Sequence, residues 1–196
     1  MSKSERTIVI VSGLPRSGTS MMMRMLDEGG LEPMTDGIRQ SDEDNPKGYY
    51  EVEQVKSLKK QTDKTWVRDA EGKVLKVVSS LLKDLPTGYR YDVVFMNRNL
   101  DEVVASQNKM IERRGEKASG DDKQIRQLYE QHLRSIKAWI PNQPNFRVLE
   151  INYTDTISDA AGVAKRIKDF LGLPLDVTKM AGAVDEQLYR NRAERS

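Results

Sequence analysis

The chain has 196 residues, with 32 Lys and Arg against 30 Asp and Glu, one His and no Cys. The length suits one domain, expected over residues 1–196, because domains commonly hold about 100–200 residues. The near-balance of charge excludes the basic footprint of a duplex nucleic-acid binder. Without Cys there are no disulfides, thiolate nucleophiles or Cys-ligated metals, and a lone His132 excludes multi-His centres. No apolar run approaches the roughly 18–20 residues that span a bilayer. The start, Met1 to Thr7, leads only into Ile8–Val11, short of the about 7–15 apolar residues of a signal peptide. A cytoplasmic protein is expected, with neither a membrane nor a nucleic acid as partner.

In chain order, Thr7–Val11 is a continuous β-branched run, which suits a strand covered on both faces. A Gly-rich turn follows, then a helix from Ser20 to Glu28 that Gly29 and Gly30 stop. Met21, Met22, Met23 and Met25 are expected to pack that helix on the sheet. Residues 35–48 read as a polar loop. Val74–Val78 is a second strand, Asp92–Met96 a third and Arg147–Ile151 a fourth. Asn99 and Glu102 have capping-box spacing and start a helix running to about Arg114. Arg113–Lys123 is a charged segment, either a solvated connector or a substrate wall. Ile125, Leu128, Tyr129, His132, Leu133, Ile136 and Ile140 form one face of a helix. Ser158 is expected to cap a helix carrying Val163, Ile167, Phe170 and Leu171, ended by Gly172 and Pro174. Strands alternating with helices predict an α/β fold, a P-loop-like parallel sheet flanked by helices.

The strongest chemical signal is Gly13-Leu-Pro-Arg-Ser-Gly-Thr-Ser20, set between the first strand and its helix. A Gly-rich loop at a helix N-terminus offers backbone N–H groups to an anion. The spacing is that of GxxxxGK[ST], but Thr19 stands where the Lys that reaches the β- and γ-phosphates belongs. The cation sits instead at Arg16, inside the loop.

Pro15-Arg-Ser-Gly-Thr-Ser20 resembles the 5′-phosphosulfate loop of the sulfotransferases, with the pattern P-[KR]-[SA]-G-[ST]-[ST]. A second segment, Arg98-Asn-Leu-Asp-Glu-Val-Val-Ala-Ser106, resembles that family's 3′-phosphate site, with Leu100 where many members have Pro. Ser106 lies seven residues past Asn99, nearly two helical turns, so it returns to the face of the helix start and can converge with Arg98 on one anion. The resemblance runs from Ile8 to about Tyr153. The family's C-terminal Gly-rich segment is missing, so adenine contacts do not carry over. The Tyr189–Arg192 tail either covers the site or frays.

The resemblance implies a sulfotransferase-type three-layer sandwich and the co-substrate 3′-phosphoadenosine 5′-phosphosulfate, with no metal required. Arg16, Ser17, Gly18, Thr19 and Ser20 would hold the 5′-phosphosulfate; Arg98 and Ser106 would hold the 3′-phosphate. Asn45-Pro-Lys-Gly-Tyr-Tyr-Glu51 resembles an NPxGYxE segment of bacterial members, which makes Glu51 the candidate base; otherwise Glu51 is an acid at a helix start. Lys76 interrupts an apolar strand. The family often has a Lys there, near the transferred group; alternatively the strand is at an edge or the stem snorkels to water. His132 sits on an apolar helical seam and reads as a packed residue rather than the base. The expected function is sulfuryl transfer to a hydroxyl or amine of a small-molecule or peptide acceptor. The rival readings are a P-loop nucleotide kinase and a non-catalytic nucleotide-binding protein. Neither acceptor nor oligomeric state is readable.

Overall fold

A computed structural model describes residues 7–37, 50–113, 115 and 120–184. Four parallel strands, β1 (Thr7–Gly13), β2 (Val74–Lys76), β3 (Arg90–Asn97) and β4 (Phe146–Asn152), lie in the order β2-β1-β3-β4. Helices α1 (Thr19–Glu28), α2 (Glu53–Lys56), α3 (Leu100–Arg113), α4 (Asp122–Trp139), α5 (Tyr153–Ser158), α6 (Ala160–Leu171) and α7 (Val177–Gly182) connect and cover them. No helix among the described residues is long and apolar enough to cross a membrane.

The period of two along β1 sends alternate side chains to opposite faces. Val9 and Val11 join one core with Met22, Met23, Met25 and Leu26 of α1, Val163 and Ile167 of α6, and Met180 of α7. Ile8 and Ile10 join a second core with Leu75, Val77, Leu82, Phe95 and Ile136. Each fully buried Ile or Val here contributes about 1.5–3 kcal/mol. Three methionines of α1 are fully buried, as expected. Arg147 clips β4 to its register partner Asp92 on β3, with Nε–Oδ1 at 2.7 Å and Nη2–Oδ2 at 2.6 Å.

Several expected boundaries shift. β2 ends at Lys76, because Val78 already turns into a 3-10 segment, Ser79–Asp84. Ser158 closes α5, and the neighbouring Asp159 caps α6 instead, its side chain accepting from Gly162 N–H. Gly172 ends α6 in the left-handed conformation, as the sequence indicated. The expected face of α4 is only partly used: Ile136 is buried, whereas Leu128 is 64% exposed. Residues 38–48 of the first expected polar loop, residues 114 and 116–119 of the second, the Asn45–Tyr49 part of the motif before Glu51, and the Tyr189–Arg192 tail lie outside the described residues.

Candidate active site

All four strands run the same way, so their C-terminal ends share one rim, where ligands of open α/β sheets bind. The turn after β1 is tied internally. The Ser17 N–H and hydroxyl both donate to the Leu14 carbonyl, at 3.2 and 2.7 Å. Gly18 has φ 98°, and a Cβ there would run into the Tyr153 ring. Only glycine meets both demands. The first intrahelical bond runs from Met22 N–H to the Gly18 carbonyl at 3.1 Å. The N–H groups of Thr19, Ser20 and Met21 therefore precede the helical ladder and, with the helix dipole, favour an anion.

Arg16 also takes a positive φ, 67°, at a cost of roughly 1–2 kcal/mol for a side-chain-bearing residue. Its Nε donates to Ser106 Oγ at 3.0 Å. Its carbonyl accepts from Nη1 of Arg98 at 3.1 Å. The structure thus gathers Arg16, Arg98 and Ser106, the pair that helical spacing predicted plus the loop cation.

Asn99 Oδ1 accepts from Asp101 N–H at 2.8 Å and Glu102 N–H at 3.3 Å, which starts α3 as expected. The Glu102 carboxylate turns to Arg98, with Nε–Oε2 at 2.9 Å, and both side chains are buried. The Arg98 guanidinium lies 4.3 Å from the Tyr153 ring centroid. Burial raises the Tyr153 phenol above its ordinary range. Tyr153 therefore lies against both Gly18 and Arg98, and sequence reasoning missed it. Its only signal was its place immediately after the fourth strand.

A second group assembles beside Ser20. Strand alternation puts Lys76 on the α1 side of β2, and its Nζ donates to Ser20 Oγ at 3.0 Å. Glu51 Oε1 lies 3.6 Å from that ammonium, and Glu51 Oε2 lies 3.8 Å from Lys56 Nζ. Lys76 is mostly buried and sits on an edge strand of the sheet formed by the described residues. Its charge is accommodated because it is hydrogen-bonded and ion-paired. Glu51, Lys76 and Ser20 are thus brought together. His132 pairs with a different residue, its Nε2 lying 2.8 Å from the buried Ser79 Oγ. Burial, then the nearby Lys83 ammonium, hold its pKa below the usual histidine value.

A family model described as a sulfotransferase domain matches residues 6–194. The chain belongs to the sulfotransferase-domain family. Solved sulfotransferases share its fold. The sulfotransferase domain from the curacin biosynthetic pathway is 14% identical, with a TM-score of 0.52 over 97% of this chain and 93% of that one. Sulfotransferase STF1 from Mycobacterium tuberculosis H37Rv is 19% identical, with a TM-score of 0.57 over 91% and 70%. Mouse sulfotransferase SULT7A1, complexed with PAP, is 16% identical, with a TM-score of 0.52 over 91% and 62%. No curated protein matches the chain in sequence. The four-strand parallel sheet flanked by helices is the sulfotransferase arrangement.

Proposed function

We propose that the protein transfers a sulfuryl group from 3′-phosphoadenosine 5′-phosphosulfate to a hydroxyl or amine of a small-molecule or peptide acceptor. The observation that carries this reading is the joining of two anion sites. The helix start at Thr19 and Ser20 offers one, and Arg98 with Ser106 offers another, linked through Arg16. A triphosphate needs one continuous cradle around the missing P-loop Lys. A nucleotide with anionic groups on both the 3′ and 5′ sides of its ribose needs two separated ones.

In this reading, Gly18, Thr19 and Ser20 hold the 5′-phosphosulfate, and Ser17 shapes the loop from within. Arg98 and Ser106 take the 3′-phosphate through charge-assisted and hydroxyl bonds. Arg16 lies between the two. The acceptor oxygen or nitrogen attacks sulfur in line. Its bond to sulfur forms as the bond from sulfur to the bridging oxygen breaks. The electron pair leaves on the 5′-phosphate, which the loop N–H groups and Arg16 stabilise. The acceptor's proton goes to Glu51. Lys76 compensates charge on the sulfuryl oxygens, because it stands between Ser20 and Glu51.

The test is calorimetric titration with 3′-phosphoadenosine 5′-phosphate beside ATP, each with and without magnesium. Tight, metal-independent binding of the bisphosphate with weak ATP binding is expected. Preference for magnesium-ATP would replace this reading with a nucleotide kinase. Glu51→Gln should abolish turnover and leave bisphosphate affinity unchanged.

A further inference from the structure

Two residues with side chains, Arg16 and Tyr50, have positive φ among the described residues. Arg16 belongs to the anion loop. Tyr50, at φ 51°, directly precedes Glu51. Such a conformation persists only where the surroundings over-determine it, and such places cluster at functional sites. We propose that Tyr50 is a positioning residue for Glu51, latched to Asp27 of the anion-loop helix. The proposal rests on the reading of Glu51 as the base.

The latch has three parts. The Tyr50 ring packs against the core that α1 shares with the sheet, and its hydroxyl donates to Asp27 Oδ2 at 3.2 Å. Val52, two residues on, is buried in the core on the opposite face of the sheet. Glu51 therefore has a core anchor on either side of it in the chain. Between them its carbonyl accepts from Thr35 Oγ1 at 3.2 Å and from Asp36 N–H at 3.3 Å. The carbonyl is thus held by two donors, and the carboxylate lies beside the Lys76 ammonium. Burial, followed by the Asp27 carboxylate, pushes the Tyr50 phenol up to about 12, so it stays a donor throughout the neutral range.

The anchor's location gives the latch a functional sense. Asp27 lies seven residues beyond Ser20 on α1, two helical turns along the same face. Ser20 holds Lys76, and Asp27 holds Tyr50. One rigid helix thus sets the anion loop, the cation and the base relative to one another. Misplacing a reacting group by about 1 Å can cost on the order of a hundredfold in rate. A hydroxyl that fixes such a group therefore acts on the rate rather than on affinity.

The experiment compares Tyr50→Phe, Asp27→Ala, Asp27→Asn, the double variant Tyr50→Phe/Asp27→Ala and Glu51→Gln. Radiolabelled 3′-phosphoadenosine 5′-phosphosulfate is supplied with phenol and with water as acceptors. Phe keeps the ring and its packing, and Asn keeps an oxygen acceptor. Expected is a loss in kcat of about tenfold for Tyr50→Phe and for Asp27→Ala, with KM for the donor unchanged. The double variant should be no worse than either single one, and Asp27→Asn should stay near wild type. In crystals of Tyr50→Phe with bound 3′-phosphoadenosine 5′-phosphate, the Glu51 carboxylate should leave its place beside Lys76. Full kcat in Tyr50→Phe, additive losses in the double variant, or an unmoved carboxylate would overturn the proposal. Normal turnover in Glu51→Gln would instead remove the base reading on which it rests.

Discussion

The Nε of Arg16 donates to Ser106 Oγ at 3.0 Å, across 90 residues of chain. The bond exists because β1 and β3 are adjacent and parallel, with Gly13 in register with Met96. The loop after one strand and the helix after the other consequently emerge side by side. Two motifs that are remote in sequence become one surface. Tyr153, entering from the end of β4, packs beneath both, against Gly18 on one side and Arg98 on the other.

Arg98 carries the sharpest consequence of that arrangement. In the proposed reading it is a donor to the 3′-phosphate, and hydrogen bonds to charged groups are worth about 1.5–3 kcal/mol. Replacing it with Ala should weaken 3′-phosphoadenosine 5′-phosphate by about 10- to 100-fold. Adenosine 5′-phosphosulfate, which lacks the 3′ group, should be weakened far less. Equal losses for both ligands would remove Arg98 from that role. The single variant also leaves the buried Glu102 carboxylate without its Arg98 partner, which costs about 3–5 kcal/mol of stability. Arg98→Gln/Glu102→Gln should therefore recover much of the lost Tm without recovering discrimination for the 3′-phosphate. Calorimetry and thermal melting separate the two effects.

The sequence exposed this site unevenly, for physical reasons. β-branched runs announced the strands, because a strand buried on both faces needs them. The order β2-β1-β3-β4 was not legible, because nothing local records which strands pair. Helical spacing predicted that Arg98 and Ser106 would converge, because that depends only on residues within one helix start. The partners of Tyr153 and Tyr50 depend on elements tens of residues away and left no local trace. The periodicity of α4 identified a face but not how deeply it packs. Ile136 reaches the core, while Leu128 lies beyond the edge of the packed layers. Ser158 and Asp159 were both chemically fit to cap α6, and the chain uses the second.

His132 predicts a pH dependence of stability. Burial first, and Lys83 second, lower its pKa in the folded state. Between the folded and unfolded values the unfolded chain binds more protons, so stability falls as pH drops through that window. The contribution is present above the unfolded value of about 6.5 and lost below the folded one. His132→Gln removes the titration and keeps a polar partner for Ser79. Between about pH 8 and about pH 5, wild type should lose more degrees of Tm than His132→Gln. Parallel losses would mean that His132 titrates alike in both states. Turnover should survive this substitution, because the proposed mechanism gives the acceptor proton to Glu51 and His132 pairs with Ser79.

Lys76 separates binding from chemistry. Its ammonium is held between Ser20, at the start of the anion helix, and Glu51. If it compensates charge on the sulfuryl oxygens, its contribution grows as the sulfur is transferred, and a product lacking that group gains little from it. Losing one such donor costs about 2.7–4 kcal/mol in the transition state. Lys76→Met, which keeps the stem and removes the charge, should then lower kcat by about 10²–10³. Affinity for 3′-phosphoadenosine 5′-phosphate should stay within about threefold, because that product carries no sulfuryl group. The opposite split, weakened bisphosphate binding with kcat retained, would make Lys76 a ligand of the 5′-phosphate. Glu51 would then lie beside a binding cation, and the charge on the sulfuryl oxygens would fall to Arg16 and the loop N–H groups.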